Sequence, residues 1–468
     1  MNRKSNIKER GRKERDYLGE LKIPSDAYYG VQTARAIKNF PISKLRLQPA
    51  FIKSYAIIKK SAAIVNMRLG KLDKKKGNAI IKACNEVIAG KLANQFVVDI
   101  YQAGAGTSTN MNLNEVITNR AIELLGGKKG DYKFVHPNDH VNMAQSTNDT
   151  FHVAIHIAAV DAVMNQLLPV LEDYEKALKN KISEFRGVVK SGRTHLQDAV
   201  PILLSQEFEG YSIRNHIDSI KHANDTMKEI GIGGTAIGTG LNAHPKYAKM
   251  AVREISRETK INFTNSKNMF EFMQSLSHEA QLSAASRNLA LSLIKIANDF
   301  RLLNSGPATG LGEITLPAVQ PGSSIMPGKV NPVIAEMMNM VCFQVIGNDT
   351  VIALAAQAGQ LELNVMMPVV AYNLLNSAEI LSNGIKTLTE KCLSGITVNE
   401  EKMLWYLERN PVIVTALTPH IGYANAAEAV KESYKTGKPI KQIILEKNLL
   451  SKRELDRILD FREMTRPG

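Results

Sequence analysis

Cysteine is scarce in this sequence. Cys84, Cys342 and Cys392 lie far apart, form no C-x-x-C and are odd in number. That argues against a disulfide framework and predicts a reduced, intracellular, cytoplasmic setting. No uninterrupted apolar run reaches about 18 residues, so no membrane span is expected. Tryptophan occurs once and aromatic residues make up 6%, which leaves no platform on which bases could stack. Strand signals are few and short, with no βαβ alternation. There is no G-x-x-x-x-G-K-[ST]. The glycine-rich GIGGTAIGTGLN (231–242) departs from G-x-G-x-x-G and follows a predicted helix, so a dinucleotide site is not expected there. With no H-E-x-x-H and no Cys/His cluster, neither a metal nor a cofactor is expected.

Acidic residues are the minority, 45 Asp and Glu against 59 Lys and Arg, for a net charge of +14. A basic chain meets either nucleic acid or a small anion. Here the lysines are scattered and lack interleaved aromatics, so a small acidic substrate is the more economical reading. The N-terminal MNRKSNIKERGRKER carries seven Lys/Arg against two Glu and no apolar stretch. It reads as a solvated basic tail over residues 1–14, not a secretory signal.

What is abundant is helix. Residues 266–305 contain neither Gly nor Pro, and Leu282, Ala285, Leu289, Leu293, Ile296, Phe300 and Leu303 recur at spacings of three and four. Phe51, Tyr55, Ile58, Ala62 and Val65 make a second stripe. Residues 151–186, 201–230 and 332–358 also read as helices, with breaks at Pro169, Gly210 and Gly347. Around 289–297 and 351–358 apolar residues occupy more than one helix face. Such helices need neighbours on several sides, and association of identical chains supplies them. The predicted organisation is an N-terminal domain over 1–145, a central helical-bundle domain over 146–397 and a small C-terminal helical domain over 398–468.

Four polar segments interrupt this pattern: GAGTSTNMNLNEV (104–116), NMAQSTNDT (142–150), KSGRTHLQDAVP (190–201) and GSSIMPGKVNP (322–332). Singly, each has an ordinary explanation. Thr107, Ser108 and Thr109 can cap a helix on which Asn110 and Asn114 share a face. Ser146, Thr147 and Asn148 can cap another. His195 lies in a loop before a predicted helix start at Pro201. Asn331–Pro332 reads as an N-cap with proline at N1, placing Glu336 in the first turn. Together, four hydroxyl- and amide-bearing segments at helix N-termini point to one anion site.

In this order the segments resemble the aspartase/fumarase superfamily of lyases, whose signature loop is matched by GSSIMPGKVNP. The resemblance runs from ERDYLGE (14–20) to EMTRPG (463–468). Fumarases of the superfamily write SGTQSNMN and QSSND where this chain has GAGTSTNMN and QSTND. AGQLELNV (358–365) and CFQVIGND (342–349) also read as aspartase-like. The resemblance implies a mostly α, three-domain fold in which long helices of four subunits form a multi-helix core, with active sites shared between subunits of a homotetramer. It implies reversible deamination of L-aspartate to fumarate and ammonia. Ser323 would remove the C3 proton and an aci-carboxylate would follow. Thr107, Ser146, Thr147, Asn148, Thr194, His195, Ser324, Lys329 and Asn331 would contact the dicarboxylate, with Lys329 also steadying the serine and Glu336 orienting His195. The alternatives are a class II fumarate hydratase, a lyase for another amino acid, and an inactive structural or nucleic-acid-binding homologue. Three positions depart from the pattern: Ala308 where Arg is usual, Met367 where aspartases carry Glu, and His152 where Pro is usual.

Overall fold

The Phe51–Val65 stripe is the inner face of a helix. In the computed structural model, which describes residues 11–467, Phe51, Tyr55, Ile58, Ala62 and Val65 all lie at 1% exposure or less. They belong to helix α2 (Pro49–Arg68), which follows α1 (Val31–Asn39) and precedes α3 (Lys74–Ile88). Next come α4 (Thr107–Leu124) and α5 (Thr147–Ala162). Phe51, Tyr55 and Phe151 of α5 meet ring to ring, with centroids 4.7–5.9 Å apart. Such pairs contribute about 0.5–1.5 kcal/mol each beyond the area they bury. Burying apolar side chains this way, at roughly 1.5–3 kcal/mol each, is what holds the bundle.

Helix α5 continues through a π-turn at Val163–Leu167 into α6 (Leu168–Glu184). Pro169 lacks an N–H, and the wide turn just before it absorbs the missing bond, so the predicted break is only a bulge. The predicted helix 201–230 needs more correction. Val189–Thr194 (β3) and Gln197–Leu203 (β4) pair as an antiparallel hairpin, and Pro201 sits inside its second strand. Helix α7 starts only at Leu204 and ends at Glu209, and α8 runs Arg214–Thr226. After α9 (Tyr247–Thr259) and α10 (Met269–Gln274) come the three longest straight helices, α11 (Ser277–Leu303), α12 (Val333–Gln357) and α13 (Met367–Lys391). The α11 stripe is buried as predicted, none of its seven residues above 8% exposure. Gly347 does not interrupt α12, because its backbone is ordinary helix and the space beside it is open.

By contact density the chain forms two compact units. Among the described residues, one comprises those up to Leu168 with Asp218–Asn288 and Phe343–Leu381; the other comprises Pro169–Ile217, Leu289–Cys342 and the residues from Ser382 onward. The consecutive division at 145 and 397 follows chain order instead. In the first unit, β1 (Gly11–Asp16) pairs with β2 (Gly19–Pro24). Residues 11–14 of the expected basic tail are therefore strand; residues 1–10 lie outside the described residues. Glu115 of α4 is a buried carboxylate at the start of α1. It accepts from the N–H groups of Gly30, Gln32 and Thr33 at 2.8–3.1 Å and from Thr33 Oγ1 at 2.6 Å, so an internal anion satisfies that helix start. In the second unit the C-terminal helices bury Leu407, Leu417, Ile443 and Leu455 in a core of their own.

Two stretches, Thr147–Glu184 and Val333–Gln357, are long and apolar enough to cross a membrane by length and composition, although neither is an unbroken apolar run. Burial inside the protein covers 61% of the apolar window of the first and 39% of the second. On α12, Met340, Phe343 and Leu354 remain exposed.

Candidate functional site

The sequence candidates fall into the two compact units, and each group has its own geometry. In the first unit the starts of α4 and α5 are side by side. Gly106 makes this possible: it caps α4 at φ +83°, and a Cβ there would stand 2.0 Å from the Phe151 ring. Thr107 is the first residue of α4. The predicted hydroxyl cap is absent, because Gln102 Oε1 takes the N–H and the hydroxyl of Thr109, each at 2.9 Å. Asn110 and Asn114 do share a face, and both reach Asn142 Oδ1, at 3.3 and 3.2 Å.

Ser146 is the N-cap of α5 in a reciprocal capping box with Asp149. Its hydroxyl accepts from Asn148 N–H at 3.2 Å. Thr147 Oγ1 accepts from Asn110 Nδ2 at 2.9 Å. Asn148 Nδ2 donates to the carbonyl of Ala236 at 2.7 Å. Asp149 Oδ2 receives the N–H groups of Gly233 and Thr235 at 2.9 and 3.1 Å. Burial pushes Asp149 up to about 6, with the N–H groups of Ser146, Gly233 and Thr235 pulling the other way. The glycine-rich 231–242 segment is thus a clamp on the start of α5. It follows the two-residue strand Glu229–Ile230, not a helix, and the next helix begins only at Tyr247.

Beneath these residues lies Lys59, fully buried, with Nζ 2.7 Å from Asn110 Oδ1 and 2.9 Å from Asn142 Oδ1. Burial pushes it down to about 7, partly opposed by Asp149. The sequence reading passed over Lys59, because a lysine in an amphipathic helix is ordinarily solvated. Its place as the one charge beside the Tyr55–Ile58–Ala62 stripe was the available signal. One turn along α5, His152 Nδ1 and His156 Nε2 converge on Glu279 Oε1 at 3.6 and 3.3 Å. Burial raises the Glu279 carboxyl, but His156 and His152 outweigh it and hold it well below the usual range. The His152 departure is therefore part of a buried polar cluster.

In the second unit Thr194 ends β3, and His195–Leu196 form the hairpin tip, with φ +54° and +59°. A two-residue turn of this kind suits the strand twist but is costly for non-glycine residues. Both Thr194 and His195 are exposed. They are presented by a β-turn, not by a helix start as the sequence suggested. The hairpin base is held by Asn410 Nδ2, 2.7 Å from both Ser191 Oγ and the Ala199 carbonyl. Arg193 and Lys190 flank the buried Glu313 at 2.9 and 3.2 Å.

The 322–332 loop closes on itself. Gly322 N–H donates to the Lys329 carbonyl and Asn331 Nδ2 to the Gly322 carbonyl, both at 2.8 Å. Asn331 thus ties the loop base and does not cap α12, which starts one residue later than predicted, at Val333. Ser323 Oγ accepts the N–H groups of Met326 and Ile325, at 2.9 and 3.2 Å. Ser324 and Lys329 are exposed. Lys329, Asn331 and Glu336 line a cleft of about 650 Å³ together with Arg301, which the sequence reading did not single out. His195 and Glu336 form no hydrogen bond or ion pair with each other among the described residues of one chain. Ala308 is exposed and Met367 is fully buried.

Each group is suited to anions: hydroxyl, amide and helix N-terminal donors in one, and a cation cleft with a hydrogen-bonded serine in the other. Residues 19–347 match the family model described as Lyase, and 413–466 match Fumarase C C-terminus. An aspartate ammonia-lyase from a Bacillus species is 50% identical, with 97% of each chain covered. A class II fumarate hydratase from Bacillus cereus is 46% identical, covering 97% of this chain and 98% of its own. The crystal structure of class II fumarase from Schistosoma mansoni matches with a TM-score of 0.95 at 39% identity, covering 98% of this chain and all of that one.

Proposed function

The chain belongs to the aspartase/fumarase family of lyases, and from that premise we propose that it is an aspartate ammonia-lyase, converting L-aspartate reversibly to fumarate and ammonia. The observation that carries the chemistry is the Ser323 hydroxyl, which already accepts two backbone N–H groups. The same donors lower the cost of an alkoxide at that oxygen. Ionised, Ser323 takes the C3 proton of the substrate. The electron pair moves into the adjacent carboxylate, giving an aci-carboxylate dianion. Donors fixed around that carboxylate stabilise it, and this is the largest catalytic term in the scheme. Thr107, Thr147, Asn148, Thr194, His195, Ser324, Lys329 and Asn331 supply them, and Ser146 holds the start of α5. Collapse of the dianion forms the C2–C3 double bond. The α-ammonium group leaves with its bonding pair as neutral ammonia, so no acid is required.

The two residue groups come together in this reading when four identical chains associate, and His195 then meets a Glu336 of another chain. The exposed apolar side chains on α12 support such association. A tetramer in light scattering is expected; a monomer that turns over aspartate would contradict it. A cytoplasmic setting belongs to the same reading.

Ammonia is favoured over water as the leaving group by the QSTND and AGQLELNV segments. The ammonia-lyase relatives are also slightly more similar, at 48–50% identity against 46% for the hydratases. That narrow margin keeps class II fumarate hydratase as the second reading. The absorbance of fumarate decides: it should rise with L-aspartate and not with L-malate. Turnover of malate alone would establish the hydratase.

A further inference from the structure

Lys59 has no carboxylate within ion-pair distance among the described residues. In its charged form Lys59 only donates hydrogen bonds, so the two atoms facing it are then acceptors. This fixes the amide of Asn110 with Oδ1 inward, 2.7 Å from Lys59 Nζ, and Nδ2 outward, 2.9 Å from Thr147 Oγ1. Tyr55 also lies 2.9 Å from Asn110 Oδ1. A phenol can donate or accept, however, and would tolerate either face of the amide. Asn142 Oδ1, turned inward because its Nδ2 donates to the Gln145 carbonyl at 3.1 Å, accepts Asn110 Nδ2 at 3.3 Å, so Lys59 makes the shorter of the two contacts that set the orientation. The Thr147 oxygen then receives a proton from Asn110, and its own proton finds no acceptor among the described residues.

We propose that Lys59 is a positioning residue: through Asn110 it forces the Thr147 hydroxyl to act as a donor toward the substrate carboxylate. The inference rests on the proposed function, in which Thr147 faces that carboxylate. Its effect falls mainly on the transition state, because a donor aimed at an oxygen gaining charge strengthens as the reaction proceeds. Without Lys59 only the 3.3 Å contact with Asn142 Oδ1 opposes rotation of the Asn110 amide. Thr147 would then donate inward to Oδ1 and present lone pairs to the substrate. That turn gives up the 3.3 Å contact with Asn142 Oδ1 and reverses the polarity at the carboxylate. Burial also disfavours the lysine's charge, so an apolar side chain of similar length removes that cost at the expense of the two hydrogen bonds to Asn110 and Asn142.

The test is a double-mutant cycle on turnover of L-aspartate, or of L-malate if the chain is a hydratase. Lys59→Met should lower kcat by about 10²-fold, the scale of losing one oxyanion donor, with KM changed by less than about threefold. In a Thr147→Val background the same substitution should change kcat by less than about threefold. Asn110→Asp keeps Lys59 paired but offers Thr147 only acceptors, so it should reproduce the loss. Equal factors for Lys59→Met in both backgrounds would overturn the proposal, as would wild-type kcat in Asn110→Asp. If Lys59→Met does not yield folded protein by circular dichroism, the Asn110→Asp and Thr147→Val cycle decides on the same criterion. A wild-type chain that turns over neither substrate would sink the proposed function instead, so the two failures are distinguishable.

Discussion

Replacing Gly106 by alanine probes the close approach on which the first half of the site depends. Gly106 and Gly90 have nearly the same φ, +83° and +77°. An alanine in this left-handed region costs about 1–2 kcal/mol at either position. Nothing lies within 4 Å of a Cβ at Gly90, whereas at Gly106 the Phe151 ring lies 2.0–2.8 Å away. Contacts that short cannot persist, so the ring and the first turn of α5 must move. Overpacking of this kind costs about 1–3 kcal/mol. Gly106→Ala should therefore lose about 1–3 kcal/mol more than Gly90→Ala in urea denaturation. Thr107 follows Gly106 and Thr147 lies one turn before Phe151, so turnover should also fall for Gly106→Ala and be kept for Gly90→Ala. Equal denaturation midpoints with equal turnover would refute the reasoning.

Other outcomes follow from the same geometry. Gly322→Ala puts a Cβ 2.6 Å from the Lys329 carbonyl and 2.8 Å from the Asn331 nitrogen; opening the loop base should lower kcat by about 10²-fold with little change in melting temperature, and wild-type kcat would contradict this. Glu279→Gln removes the carboxylate shared by His152 and His156 and should destabilise the fold by about 3–5 kcal/mol; an unchanged melt at pH 7 would show the cluster is not an ion network. Because Glu279 is held below its usual value, its contribution is present above the unfolded pKa of about 4.3 and is lost as pH falls further, so the melts of wild type and variant should converge in acid. Lys59 behaves oppositely. Its value of about 7 lies below the unfolded 10.4 or so, so the unfolded chain binds more protons between these limits and folding is favoured as pH rises. Lys59→Met should melt above wild type at pH 7, with the gap closing by about pH 10; a variant less stable at every pH would contradict the account.

The long helices were legible because their apolar periodicity survives packing: the Phe51 and Leu282 stripes are buried as written. The 201–230 stretch misled because its apolar residues are compatible with strand as well as helix, and pairing with 189–194 settled the first three residues. Gly347 misled because an interior glycine weakens a helix without breaking one whose neighbours hold it. At the site, residue types and order were visible, but their partners were not. The α4 cap comes from Gln102, and Asn331 ties a loop when its position suggested a cap. Lys59 was hidden because nothing local marks a lysine as buried. The Asn110–Asn142 pair that receives it is separated in sequence and is joined only by the fold.

The most direct test of the central claim is turnover of L-aspartate by Ser323→Ala. If this hydroxyl is the base, kcat falls by at least about 10²-fold, while fumarate still binds and the melting temperature is unchanged. Near-wild-type kcat in a folded Ser323→Ala protein would place the base elsewhere and contradict the account.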